Sequence, residues 1–367
     1  MESVLHKPVF DKAPKQGIFK EISIEVHELI QKSPKESSAG VLKAGIFLLS
    51  FVLSYIGILL FGSHIWALFL LYGTAGLSMF LVFLNGFHDA AHNALFKNTR
   101  ANRRFCYILE AFGSNNYIWR KRHLLLHHPY PNIAYWDIDV KQSDIARISP
   151  SARWLPIHRY QHIYMWLLYP LYTLNWLYIR DFKDFFGKKD NYLKRVVKIP
   201  KIEYLKLFLF KIINLGYLIV LPYYLLDQPL WVIILSWITL HIVASSFGAV
   251  ALLSTHVDEH AEFPKPDASG HIHKTWFDHQ LHVTKDFSTD SKLMNYLYGG
   301  FSLHVAHHLF PSISHSYYPA ITKIIRKHAK ANDLPYTNYP FYAALRSHYR
   351  LLKNNGSEHN LFKTGEL

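Results

Sequence analysis

His88-Asp89-Ala90-Ala91-His92 sets two imidazoles four residues apart, where a long apolar run meets polar sequence. His123-Leu124-Leu125-Leu126-His127-His128 follows, and His304-Val305-Ala306-His307-His308 comes far downstream, so eight histidines fall in three tight clusters. On a helix, positions i and i+4 share a face. That spacing predicts that His88 aims with His92, His123 with His127, and His304 with His308. His128 and His307 then point about a quarter-turn away, toward a second position. Eight imidazoles exceed what one ion holds, since structural zinc takes about four ligands and catalytic zinc about three, so two metal ions are expected. Nitrogen ligands suit iron, copper, nickel and zinc alike. One histidine at a helix end is an ordinary polar residue, and the argument for metal rests on three clusters meeting at one face. Cys106 is the lone cysteine, which excludes a disulfide framework and a cysteine-based zinc cluster.

The clusters must be positioned by long apolar elements. Of the 367 residues, 50% are hydrophobic and 16% aromatic, and the apolar ones are concentrated in a few blocks, the pattern of bilayer spans. Residues 44–61 and 65–87 carry no charge, and a short Gly62-Ser63-His64 link joins them. A second pair, 207–226 and 230–255, turns at Asp227-Gln228-Pro229, with Lys211 close enough to one end to reach the headgroups. The expected fold is an all-α integral membrane protein, with four transmembrane helices in two hairpins and a cytosolic helical cap that carries the metal site. Its parts are an N-terminal arm (1–43), a membrane domain (44–320) and a basic C-terminal tail (321–367).

Neither hairpin tip carries Lys or Arg, whereas the arm (Lys7, Lys12, Lys15, Lys20, Lys32, Lys35), the middle segment and the region after 255 do. The positive-inside rule then puts both termini and all three clusters in the cytosol. The arm has no apolar stretch of the signal-peptide kind. A net charge of +14 is accounted for by this bias, and no basic patch has the motif context of a nucleic-acid binder. Residues 160–179 lack Lys, Arg, Asp and Glu and are long enough to span. A crossing there would separate the second and third clusters. Basic flanks (Arg153, Arg159, Arg180, Lys183, Lys188, Lys189) and scattered Tyr and Trp predict an interfacial or re-entrant helix instead.

Three histidine boxes in this order, separated by apolar pairs, resemble the membrane-bound fatty acid desaturases from about residue 44 to 320. The stretch from His304 through Leu309-Phe310-Pro311, together with Trp276 and Asp278-His279-Gln280-Leu281, is similar to the acyl-CoA and front-end (delta-5/delta-6, linoleoyl-CoA type) branch. Many front-end members begin the third box with Gln, where this chain has His304. No His-Pro-Gly-Gly haem motif of a fused cytochrome b5 domain occurs. The resemblance implies two iron ions that activate O2 and leave a cis double bond in an acyl chain carried on CoA or lipid. It also implies electrons from an external protein, cytochrome b5 or ferredoxin, since no flavin fingerprint is present. The site so implied comprises His88, His92, His123, His127, His128, His304, His307 and His308, with His256 as the ninth ligand by analogy and His260, His279 and His282 as alternatives. Asp89, Asp137, Asp139, His279 and Gln280 are candidates to orient ligand imidazoles. Arg120, Lys121 and Arg122 are candidates for a CoA phosphate or lipid headgroup, as are Lys97, Arg100, Arg103 and Arg104. A hydroxylase or ketolase on the same scaffold is the nearest enzymatic alternative. A metal transporter is the non-enzymatic one, and it would call for polar residues inside the charge-free spans.

Overall fold

The computed structural model describes residues 6–14, 17–33, 36–140, 143–187 and 192–358, so Lys15, Lys35, Lys188 and Lys189 lie outside it. The chain is mostly helical. Strand β1 (Val9–Asp11) and helix α1 (Ile18–Lys32) precede α2 (Glu36–Phe61) and α3 (Ile65–Ala91). α4 (Asn116–Arg122), α5 (Lys201–Leu225) and α6 (Leu230–Leu253) follow. Then come β2 (His271–Thr275), α7 (Trp276–Val283), β3 (Asp286–Phe287), α8 (His304–Leu309), α9 (Tyr318–Ala331), β4 (Asn338–Tyr339) and α10 (Phe341–Asn354). β1 pairs in parallel with β2, and β3 with β4.

Among the described residues, α2, α3, α5 and α6 are the four helices long and apolar enough to cross a bilayer. Their faces divide as that role requires. On α2, Leu42, Ile46, Leu49, Leu53, Ile56 and Leu60 are exposed at three- and four-residue steps, while Ala44, Phe47, Phe51 and Ile58 are buried on the other side. An exposed apolar stripe of that length would cost a water-soluble protein dearly and costs nothing in lipid. α3 is the most enclosed of the four, packed between α2 and α6. Glycines bring it close to α6: a Cβ on Gly76 would collide with the Leu240 carbonyl, and one on Gly248 with the Phe80 ring. Small residues at such crossings let helix backbones approach.

Two expectations need correction. α5 begins at Lys201, not at Leu207, because Pro200 caps it and Glu203 is anchored by Asn115 Nδ2 at 3.0 Å and Lys206 Nζ at 2.9 Å. The apolar run marked only the charge-free part of a longer helix. Lys211 does not reach outward. It is buried, donating to Asp181 and to the Gly113 carbonyl, both at 3.0 Å.

Residues 161–186 form no continuous helix. The path runs through an α-helix to Leu168, a 3-10 turn at Pro170, one α turn, a π-turn at Trp176–Arg180, and a last helix to Phe186. Pro170 removes a backbone donor and breaks the ladder. Thr173 ties the run to α6, with its N–H on Ser245 Oγ (3.0 Å) and its hydroxyl 3.0 Å from His241 Nδ1. The segments flanking 44–320 pack onto the body. Ile22 and Val26 of α1 join Ile321 and Ile325 of α9, and Leu351 of α10 joins Leu253 and Val257.

Candidate metal centre

Each cluster sits where a helix is locally over- or underwound. A π-turn at Phe83–Phe87 ends the apolar part of α3 and delivers His88 and His92. α4 runs into a second π-turn, His123–His127, in which the His128 N–H reaches the His123 carbonyl at 3.0 Å, five residues back. α8 starts after Gly299 and Gly300, both at positive φ (56° and 79°), which lets the chain turn sharply into the third box. His256 follows the end of α6.

These elements bring nine buried histidines into two adjacent groups. His88, His92, His123, His128 and His307 form one, and His127, His256, His304 and His308 the other, with the ring nitrogens of each group within 4.8 Å of one another. The expected pairing within the second box is therefore wrong. His123 shares its group with His128 and not with His127, because the π-turn places residues five apart, not four, on one face. His127 is swung to the other group, its ring 4.9 Å from His256 and 5.1 Å from His308.

The donor set fits metal. In the second group, the His256 Nδ1–H donates to the Val283 carbonyl (3.0 Å), the His308 Nδ1–H to Gln280 Oε1 (2.9 Å), and the His127 Nδ1–H to Asp137 (3.1 Å). These bonds fix tautomers in which Nε2 carries a lone pair. Yet His256 Nε2 stands 3.1 Å from His308 Nε2 and 3.0 Å from His304 Nε2. His256 and His308 both commit Nδ1–H elsewhere, so their two Nε2 lone pairs face one another at 3.1 Å and repel unless a cation lies between them. Nitrogens about 2.1 Å from one ion sit about 3.0 Å apart when their bonds meet at a right angle. In the first group, His123 Nε2 is 3.1 Å from His88 Nε2 and 3.0 Å from His128 Nε2, and the buried Nε2 atoms of His92 and His307 have no hydrogen-bond partner among the described residues.

Burial also keeps the imidazoles neutral, the form that binds metal. It pushes His92 and His256 down to about 3 and holds His123, His128, His304, His307 and His308 well below the ordinary value. His127 differs. Burial disfavours its charged form, but the Asp137 carboxylate more than offsets this and raises it.

The supporting residues are placed as follows. Asp137 and Gln280 touch ligand-position histidines directly, and Gln280 also donates to the His128 carbonyl at 3.0 Å. Asp89 does not. It accepts from His315 Nδ1 at 2.8 Å and from Ser314, residues outside the boxes. Asp139 bonds Arg122, and His279 donates to the Pro131 carbonyl at 3.0 Å, apart from both groups. His260 is exposed, and His282 is turned to the Asp278 carbonyl. Arg122 is no headgroup cation: it is buried, with Asp184 at 2.7 and 2.9 Å and Asp139 at 2.9 Å. Two supports had no signal in the sequence. The Tyr318 hydroxyl lies 3.2 Å from His307 Nδ1, and Asn132 holds the His256 carbonyl at 2.9 Å.

Beside both groups lies a cavity of 560 Å³, touching His123, His127, His256 and His304 and walled by Phe80, Trp119, Leu168, Leu174 and Leu252. It lies between the broken run 161–186, the end of α6, and residues 139–140 and 143–148. An apolar pocket with a few converging polar groups is the usual form of a small-molecule site.

Four apolar helices, with two buried polyhistidine groups gathered at their ends beside an apolar cavity, define a membrane-type metalloenzyme scaffold. Residues 62–340 match the fatty acid desaturase family model, and the chain belongs to that family, on its front-end branch. It is similar to the sn-1 linoleoyl-lipid 6-desaturase of Arthrospira platensis, 29% identical over 358 residues and 96% of each chain. The sn-1 linoleoyl-lipid 6-desaturase of Synechocystis sp. is 32% identical over 274 residues, 73% of this chain and 75% of that one. A probable Delta(5) fatty acid desaturase C of Dictyostelium discoideum is 28% identical over 94% of this chain and 77% of its own. The protein is an oxidoreductase that desaturates fatty acyl chains, and its buried histidine groups suit iron.

Proposed function

We propose that this chain is an acyl-lipid desaturase that holds two iron ions, one in each histidine group, and inserts a cis double bond on the carboxyl side of the chain. The convergence of Nε2 atoms in two separate buried groups carries the two-ion reading. The lipid substrate is supported by the names of the two cyanobacterial relatives, both lipid-linked desaturases. Acyl-CoA is the other carrier the cavity would admit.

His88, His92, His123, His128 and His307 would hold one ion, and His127, His256, His304 and His308 the other. When bound, the irons supply the redox chemistry by which O2, two electrons from an external protein and two protons take up two hydrogens of the substrate and leave as two waters. The chain's own part is positional. Asp137, Gln280 and the Val283 carbonyl hold the imidazole tautomers, and Tyr318 holds the His307 ring. The cavity walls exclude water and keep an acyl chain extended past His123, His127, His256 and His304. In the membrane, α2 with α3 and α5 with α6 form two hairpins with outward tips, the run 161–186 lies in the headgroup layer, and 44–320 is the catalytic unit. Termini and histidines then face the cytosol, where cytochrome b5 or ferredoxin delivers electrons.

Purified protein reconstituted with iron, a reductase chain and linoleoyl-lipid should carry two irons per chain and yield a product with one more double bond. His127→Ala and His307→Ala should each abolish product and lower bound iron. Full activity in either variant, or a hydroxylated product, refutes the reading.

A further inference from the structure

The cavity contains a cation that the ligand set does not use. Arg180 closes the π-turn after Trp176 and lines the cavity, yet its side chain is only 6% exposed. Its guanidinium lies over the Trp176 ring, 4.6 Å from the centroid, and among the described residues its one hydrogen bond goes from Nη1 to the Tyr172 hydroxyl at 3.1 Å. Nε is buried without a partner among the described residues. The neighbouring carboxylates are committed elsewhere: Asp184 and Asp139 bond Arg122, and Asp181 bonds Lys211 at 3.0 Å. A guanidinium has five donors, and burying them unused is costly. The other cavity walls near the histidines are chiefly aliphatic or aromatic, so a ligand lying along them can satisfy Arg180 only at a polar end.

Charge decides what that end is. Asp181, held by Lys211, and Asp184, held by Arg122, also feel the Arg180 charge, so carboxylates are already gathered around this cation. A fatty acid carboxylate would leave an excess negative charge in a buried place, whereas a neutral carbonyl oxygen accepts a hydrogen bond and leaves the balance intact.

We propose that Arg180 binds the carbonyl oxygen of the acyl substrate, as lipid ester or CoA thioester, and that this contact sets which carbons stop beside the histidines. The proposal rests on the reading of the cavity as the acyl site. Trp176 and Tyr172 hold the guanidinium in place, so distance along the chain is counted from a fixed point.

The experiment uses iron-loaded protein in nanodiscs, with acyl-lipid and acyl-CoA as separate substrates, and compares wild type with Arg180→Met and Arg180→Lys. A lost charge-assisted hydrogen bond should raise KM about 10-fold or more in Arg180→Met. The product should spread over neighbouring double-bond positions, with iron content unchanged. Arg180→Lys should recover part of the KM and of the single position, which a merely structural role would not predict. The substrate whose KM responds identifies the carrier. An unchanged KM with one product position in iron-replete Arg180→Met overturns the proposal. If that variant does not fold, Tyr172→Phe, which frees the guanidinium, should widen the product distribution, and an unchanged distribution overturns it equally. Displacement of a fluorescent acyl-lipid from metal-free wild type and Arg180→Met reads the contact without turnover. Weaker binding only in the variant supports Arg180 even if wild type proves not to desaturate, and equal binding counts against it.

Discussion

Gln280→Leu removes the residue that links the two histidine groups. Its side chain is fully buried, accepting from His308 Nδ1 at 2.9 Å and donating to the His128 carbonyl at 3.0 Å. Leucine has similar bulk and neither function. Two buried groups lose their partner, at about 1–3 kcal/mol each, so the metal-free protein should lose about 2–6 kcal/mol. His308 also loses the contact that fixes its tautomer and ring angle. Removing such an outer contact lowers metal affinity about 10- to 100-fold. Iron per chain, measured after dialysis against graded chelator, should fall first in the group of His127, His256, His304 and His308. Gln280→Glu keeps an acceptor for His308 and should hold iron better than Gln280→Leu. If Gln280→Leu keeps the wild-type Tm without metal and the wild-type resistance to chelator, the argument that Nδ1 bonds preset the Nε2 lone pairs is refuted.

Other outcomes follow from the same geometry. Gly76→Val should give little monodisperse protein on size exclusion, because a side chain there strikes the Leu240 backbone, while Gly45→Ala, where a Cβ meets nothing within 4 Å, should behave as wild type. Arg122→Met should cost about 3–5 kcal/mol in thermal or denaturant unfolding, since the buried Asp184 and the half-buried Asp139 lose their guanidinium. Lys121→Met should cost little. His348 of α10 is buried against the Val257 carbonyl and pushed down to about 4, so below the ordinary 6.5 the unfolded chain binds a proton that the folded one refuses. Its share of stability is intact above 6.5 and is lost as pH falls toward 4, about 3 kcal/mol at 1.36 per unit. In His348→Gln, Tm should fall less steeply over that window than in wild type, and identical slopes would refute the assignment.

Much of this could be read from the residue pattern because bilayer spans and histidine boxes are local signals. The charge-free blocks marked all four long helices, and the boxes together with His256 are the nine residues that the structure gathers. What eluded the pattern depends on tertiary context. Asp89 looked like a support for its own box, yet it serves His315, some two hundred residues away, and no spacing rule reaches that far. Lys211 and Arg122 looked like surface charges because their carboxylate partners lie on the run 161–186, whose path Pro170 and Thr173 decide. Tyr318 and Asn132 are ordinary residues in ordinary sequence until the fold turns them inward.

The π-turn at His123–His127 makes the second box sensitive to reading frame as well as composition. One extra residue per turn sends neighbours His127 and His128 to different groups, so a single short stretch bridges the two positions and fixes their separation. Deleting one leucine from Leu124-Leu125-Leu126 would keep every histidine in the chain and still dismantle the centre, because a regular turn cannot face both ways. A variant library scored by residue identity would count that deletion as harmless, and one scored by register would not.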